Sequence, residues 1–191
     1  MEQIVQLNSK ANLSEHLASP SEATLGNSSK LDCAHLSPHF VLGEFTRSKH
    51  PEVYNIPSHE AIANLKRLCV WLEVLREASP GPIPEQSSPT RCLSKKRGEP
   101  IVINSGYRSP QLNRKVGGAA NSNHLTGCAV DIRTSGYEQA ICYAAILINY
   151  AKESQQEFDE LLIEKNRYGA VWLHFAVRPK DNRHKILFIN A

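Results

Sequence analysis

The chain has 191 residues, 41% of them hydrophobic and 21% charged, and its formal net charge at pH 7 is +3. These values are ordinary for a globular protein with one core of normal size, and so small a positive charge argues against a nucleic-acid partner. No apolar stretch approaches the ~18 residues that a transmembrane helix needs. The sequence therefore argues against a membrane span as well, and it indicates no particular oligomeric state.

The N-terminal part of the chain, residues 1–35, is expected to be a flexible leader ahead of a domain that spans residues 36–191. Residues 8–32 are rich in Ser, Asn, Ala and Glu, a composition that buries little apolar surface. The first residues lack both a basic start and a long apolar segment, so they do not form a secretory signal. We therefore expect the protein to be cytoplasmic as synthesised.

A helix is predicted from about His59 to Glu77, followed by a long loop. Ser58 is a favourable N-cap for the helix, and its apolar residues recur at the helical period, as one stripe made of Ile62, Leu65, Leu68, Leu72 and Leu75. Residues 79–99 contain four prolines and a run of three basic residues. This composition predicts a surface loop insertion within the domain.

The second half of the chain alternates short strands with helices. A strand at residues 101–103 leads into a turn, and Ser109 then caps a short helix that has Pro110 at its first position. Further patterns predict a helix over residues 137–150 and four strands, at residues 129–132, 161–164, 170–177 and 185–189. This order indicates an α+β fold whose central, mainly antiparallel sheet is flanked by helices.

The five cysteines are an odd number and include no Cys-x-x-Cys pair. They therefore predict neither a disulfide framework nor a zinc-ribbon site. Cys69 and Cys142 fall on apolar helical faces, and Cys128 lies next to small apolar neighbours. We expect all three to be packing residues.

Two histidines and an aspartate form the pattern with the most chemical content. His124 and Asp131 lie in the run from Ser122 to Asp131, and His174 follows in an alternating strand. Two imidazole nitrogens and a carboxylate suit Zn²⁺, and three protein ligands leave a fourth tetrahedral position for water. Non-haem Fe(II) sites use the same ligand types, but their first histidine and acid usually lie two positions apart, whereas Asp131 lies seven positions after His124.

The motif Ser122-x-His124-x-x-Gly127-x-Ala129-x-Asp131, with the later Trp172-x-His174, resembles the zinc D-Ala-D-Ala carboxypeptidase family, peptidase family M15, in its shorter branch. The upstream run Ser105-Gly106-Tyr107-Arg108-Ser109 matches that family's arginine motif. The resemblance covers about residues 36–191 and implies a hedgehog/DD-peptidase-like fold. It also implies a zinc metallopeptidase that hydrolyses peptidoglycan stem peptides, as a D-Ala-D-Ala carboxypeptidase or as an endolysin-type endopeptidase.

The resemblance further implies roles for single residues. His124, Asp131 and His174 would bind zinc. Arg108 would hold the substrate carboxylate or the developing oxyanion, for which the planar guanidinium is suited. Ser122 would contact the substrate, although a local role in the turn accounts for it equally well. An enzyme of this kind, synthesised in the cytoplasm, would reach the cell wall after lysis or by a separate export route.

The general base is where this chain departs from the family pattern. Many members carry a carboxylate three residues before the last histidine ligand, and that position is Val171 here. The first choice among the acidic residues upstream is Glu164, ahead of Asp159 and Glu160. If none of them serves, the alternative is a non-catalytic, zinc-containing binding domain of the same fold that recognises cell-wall peptide.

Overall fold

The structure, a computed structural model, describes residues 32–78 and 100–190. The expected insertion at residues 79–99 lies outside this part of the chain, as does the expected leader apart from its last four residues. In chain order the elements are α1 (Leu42–Thr46), α2 (His59–Glu77), β1 (Ile103–Ser105), α3 (Pro110–Lys115), β2 (Ala129–Arg133), α4 (Tyr137–Ser154), β3 (Glu160–Lys165), β4 (Val171–Ala176) and β5 (Lys185–Asn190).

The five strands form one sheet in the order β1-β2-β4-β3-β5. The pairs β1–β2, β2–β4 and β3–β4 are antiparallel, and β5 joins the edge of the sheet parallel to β3. This architecture confirms the predicted α+β class with a mainly antiparallel sheet. No helix in the described part of the chain is long and apolar enough to cross a membrane.

Most element bounds follow the local sequence pattern. Helix α2 has the predicted limits, and the Ser58 side chain accepts a hydrogen bond from Ala61 N at 3.1 Å. Helix α4 continues four residues beyond the predicted end, until Gln155 adopts a left-handed φ of 55°. Strand β1 begins two residues later than predicted, because the partners of Ile103 and Ser105 on β2 set its pairing.

The core lies between one face of the sheet and the two long helices, with Trp71 of α2 at its centre. The Trp71 ring contacts Tyr150 of α4 at 4.8 Å between centroids and Phe175 of β4 at 5.2 Å. Cys69 is a fully buried free thiol, as expected of a packing residue. The interpretation of Cys142 as a packing thiol was wrong, because this residue is disulfide-bonded.

Gly127 lies where the backbone passes closely over α2. It has a φ of 71°, and a Cβ atom at this position would lie 2.6 Å from the carbonyl oxygen of Ala61. Both the positive φ and the absence of space require glycine. The residue therefore holds the turn that precedes β2 against the helix.

We expect Gly127→Ala to lower the free energy of unfolding by about 2 kcal/mol, from backbone strain and the clash with α2 together. Thermal unfolding would then shift downward by roughly 4–8 °C. Gly117→Ala is the matched control, because Gly117 has nearly the same φ, 72°, but nothing within 4 Å of its added Cβ. Equal losses in the two variants would show that the contact with Ala61 is unimportant.

Candidate metal centre

The pairing of β2 with β4 brings Asp131 directly opposite His174. Side chains of paired residues share a face of the sheet, and this polar face lies opposite the core. The His174 Nδ1 and Asp131 Oδ1 atoms are 2.8 Å apart. Two of the predicted metal ligands, 43 residues apart in the chain, are therefore brought together by strand register alone.

A single 3₁₀ turn, Asn123–Thr126, brings His124 to the same place. Ser122 caps this turn by accepting a hydrogen bond from His124 N at 3.3 Å, and Gly127 ends it in the left-handed conformation. The turn places His124 Nε2 at 3.3 Å from Asp131 Oδ1. Ser122 thus has the local role that the sequence left open beside substrate binding.

The hydrogen bond of the other ring nitrogen fixes the tautomer of His124. Its Nδ1 lies 2.6 Å from the carbonyl oxygen of Gly106. Because a carbonyl oxygen only accepts, Nδ1 carries the proton in the neutral ring and Nε2 keeps its lone pair. This is the arrangement that metal-binding histidines commonly adopt.

The three side chains together form a group that could hold a metal ion. Their ligand atoms all lie within 4.8 Å of one another, and all three residues are buried, with exposed fractions of 2%, 8% and 7% for His124, Asp131 and His174. Burial opposes the charge on Asp131, but the two histidines hold the pKa of its carboxyl far below the ordinary value. The carboxylate is thus ionised at neutral pH, as a metal ligand must be.

Arg108 lies against this cluster. Its Nη2 donates to Asp131 Oδ2 at 2.6 Å and its Nε donates to Ser105 Oγ at 2.8 Å. Among the described residues, none accepts a hydrogen bond from its Nη1. The guanidinium therefore braces one oxygen of Asp131 and keeps donors for a further acceptor.

Asn55 holds the backbone on both sides of Arg108. Its Nδ2 donates to the carbonyl oxygens of Tyr107 at 2.9 Å and of Thr46 at 2.8 Å, and its Oδ1 accepts from Ser109 N at 2.7 Å. Sequence reasoning missed this residue. The only local signal is an asparagine before a proline-containing turn, which is common in loops of any kind.

Glu160 and Glu164 flank the cluster on β3. Leu162 pairs with His174, and residues two apart on a strand share a face, so both glutamates lie on the polar face. Glu160 Oε2 is 3.6 Å from His174 Nε2. Glu164 has no hydrogen-bond or ion-pair partner among the described residues, and its burial raises the pKa of its carboxyl above the ordinary value.

His174 is placed between two carboxylates. Burial by itself would lower the pKa of its imidazole, but the carboxylates of Asp131 and Glu160 outweigh burial and raise the pKa to about 9. The ring therefore lies in a strongly negative environment. That environment favours any cation at this position, whether a proton or a metal ion.

Val171 faces the other side of the sheet. It is 8% exposed and packs in the apolar core, because β4 is a regular strand and residues three apart on a strand point to opposite faces. A carboxylate at this position would be buried in the core rather than near His174. The departure from the family pattern therefore has a structural reason in this chain.

Asp159 is a buried anchor next to the cluster. Its side chain is fully buried and accepts hydrogen bonds from Arg183 Nε at 2.8 Å, Arg183 Nη2 at 2.6 Å and Asn123 Nδ2 at 2.8 Å. Asn123 also precedes His124. The carboxylate thus ties the loop after β4 to the turn that carries a predicted metal ligand.

We expect stability to depend on pH through Asp159. Burial opposes its ionisation, but the donors of Arg183 and Asn123 lower the pKa of its carboxyl to about 2. An unfolded aspartate has a pKa of ~3.9, so the stabilisation is complete above that value and is lost as the pH falls towards 2. The loss is about 2 kcal/mol.

The measurement is denaturant unfolding of the protein and of Asp159→Asn at pH 6 and at pH 2.5. The variant should be less stable by about 2 kcal/mol at pH 6, and the difference should shrink at the lower pH. Asp181→Asn, at an exposed position, is the control. A difference that does not change with pH would contradict the assignment.

Comparison with known proteins gives one family. The sequence model of the family described as Peptidase M15 matches residues 39–161. The matched segment contains His124 and Asp131, together with Arg108, and it ends before Glu164 and His174. A search of curated proteins gave no match.

Proposed function

The chain belongs to the peptidase M15 family, as its motifs predicted, and on that premise we propose that it is a zinc-dependent metallopeptidase that hydrolyses peptidoglycan stem peptides. The observation that carries the proposal is the buried cluster of His124, Asp131 and His174, whose ligand atoms lie within 4.8 Å of one another. Membership of the family implies a hydrolase of the metallopeptidase type. The peptidoglycan substrate and the residue roles below are our proposal.

Two histidine nitrogens and one carboxylate oxygen are the ligand set of a catalytic zinc site. Zinc held by His124, Asp131 and His174 would supply a Lewis acid that polarises the scissile carbonyl and acidifies water. Burial of all three ligands strengthens their electrostatic attraction for a cation. The hydrogen bond from His124 Nδ1 to Gly106 O keeps that ring in the orientation which metal binding requires.

We assign the general base to Glu164. It lies on the same face of the sheet as His174, and burial raises the pKa of its carboxyl, which brings the group closer to the pH at which proton transfer is efficient. Its carboxylate is not bound to any described residue, so it can take a proton from the attacking water and pass it to the departing amine. Asp159, whose oxygens are occupied by Arg183 and Asn123, is unsuited to this task.

Arg108 is assigned to the substrate. Its Nη2 and Nε are bound to Asp131 and Ser105, which fixes the guanidinium plane beside the metal ligands. The remaining donors can bind a substrate carboxylate or the oxyanion that forms on the scissile carbonyl. Ser122 lies in the same region, and its hydroxyl proton can be donated to substrate while its oxygen accepts from His124 N.

The alternative is a zinc-containing binding domain that lacks catalysis, and its motivation was Val171. Since this position faces the core, valine there removes no acid from the site. Glu164 lies on the neighbouring strand β3, on the same face of the sheet as His174. The geometry therefore favours the enzyme over the binding domain.

The test is an assay of the metal-replete protein with purified stem pentapeptides, with products identified by mass spectrometry. A chelated sample and His174→Ala serve as controls. We expect loss of a terminal D-Ala or an internal cut that disappears in both controls. Stoichiometric zinc binding without cleavage of any stem peptide would overturn the proposed activity and favour the binding domain.

A further inference from the structure

We propose that Glu160 is a positioning residue, which orients the His174 ring for metal binding by accepting a hydrogen bond from its Nε2–H. The inference deepens the proposed function and rests on the zinc site. The two glutamates of β3 then have different roles. Glu164 acts on water, whereas Glu160 acts only through His174.

The two nitrogens of the His174 ring point to different partners. Nδ1 is 2.8 Å from Asp131 Oδ1, the oxygen that also lies 3.3 Å from His124 Nε2. Nε2 points away from this group and lies 3.6 Å from Glu160 Oε2, an ion-pair contact slightly longer than a hydrogen bond, which a small rotation of either side chain would close. Nδ1 is therefore the nitrogen directed at the other two ligands, and a ring that binds metal through Nδ1 carries its proton on Nε2.

Glu160 is itself held in place. Its Oε2 accepts from Asn123 Nδ2 at 3.0 Å, and its Oε1 lies 2.9 Å from Arg183 Nη2. Its side chain is only 15% exposed. A carboxylate fixed by two donors on other segments can define the direction of an imidazole N–H, which a free glutamate could not do.

The same contacts argue against Glu160 as the proton acceptor in catalysis. Both oxygens of the carboxylate are engaged, because Asn123 Nδ2 donates to Oε2, the oxygen nearest His174, and Arg183 Nη2 lies 2.9 Å from Oε1. Glu164 makes no such contacts among the described residues. A fixed carboxylate aimed at the distal nitrogen of a metal-binding histidine is a common device for orienting the ring.

The test measures zinc affinity, by competition with a chromogenic chelator, for the wild type, Glu160→Ala and Glu160→Gln. Loss of such a carboxylate typically weakens metal binding ~10–100-fold, and we expect a loss in this range for Glu160→Ala. Glu160→Gln should lose clearly less affinity than Glu160→Ala, because its amide oxygen can still accept from Nε2–H although its amide nitrogen then faces the Arg183 donor. Lys185→Ala, which removes a half-exposed cation 3.7 Å from Glu160, is the control and should leave the affinity unchanged.

The possible outcomes are distinct. Wild-type protein that binds no zinc would overturn the proposed function itself. Zinc affinity that is unchanged in Glu160→Ala, or equally weakened in both Glu160 variants, would overturn only the positioning role. If Glu160→Ala does not fold, NMR of the zinc-loaded wild type decides, because a slowly exchanging His174 Nε2–H signal is expected and its absence would overturn the inference.

Discussion

Replacing Glu164 with glutamine should lower kcat by roughly 10²–10⁴-fold while the protein still binds zinc. The substitution keeps the size and polarity of the side chain but removes its ability to accept a proton. Glu164 is not one of the three predicted metal ligands, so zinc affinity should stay within about 3-fold of the wild type. Losing a residue that supports a ligand would instead weaken zinc binding ~10–100-fold.

The pH profile provides a second readout of the same role. A general base works only when it is deprotonated, so kcat/KM should rise with pH through the pKa of Glu164. Because burial raises the pKa of this carboxyl, the rise should lie at higher pH than the ~4.3 of an exposed glutamate. The residual kcat/KM of Glu164→Gln should not show this rise with pH.

Glu153→Gln is the matched control for this experiment, since Glu153 is an exposed residue of α4. It should have wild-type kcat and zinc content. Full activity of Glu164→Gln would exclude Glu164 as the general base.

Replacing His174 with alanine should abolish both zinc binding and turnover. The substitution removes one of three ligands from a cluster whose remaining members, His124 and Asp131, cannot close a tetrahedral site. Loss of a residue that only supports a ligand weakens metal binding by up to ~100-fold. Loss of the ligand His174 should weaken it by more than that. Activity should fall by at least ~10³-fold, since the metal supplies several kcal/mol of stabilisation in the transition state.

Metal content by elemental analysis and activity on stem peptide check this expectation. The matched control is His50→Ala, which removes a histidine from a surface loop outside the cluster. The folding of His174→Ala is verified by far-UV circular dichroism. A folded His174→Ala that retains stoichiometric zinc would show that the metal is bound elsewhere and would contradict the assigned site.

The elements that position the cluster could be predicted from local patterns. Helix α2 has the bounds that its apolar stripe and the Ser58 cap indicate. The alternation along β4 correctly separated His174 from the core residues Leu173 and Phe175. These predictions succeed because period and capping are properties of neighbouring residues.

The supporting network could not be predicted, because it depends on which strand lies beside which. Asn123 reaches Glu160 across 37 positions, and the acids of β3 face His174 only through the register of β3 with β4. The single 3₁₀ turn that presents His124 is too short to produce a periodic signal.

The separation of the three clustered side chains along the chain has a consequence for folding. They come from a turn and two strands, so no unfolded chain presents them together, and an ion bound there would bind almost solely to the native state. At a free zinc concentration of ~1,000 times the dissociation constant, such linkage adds ~4 kcal/mol to the free energy of unfolding. The ion would then act as a reversible cross-link. The free energy of unfolding would rise and fall with the concentration of free zinc.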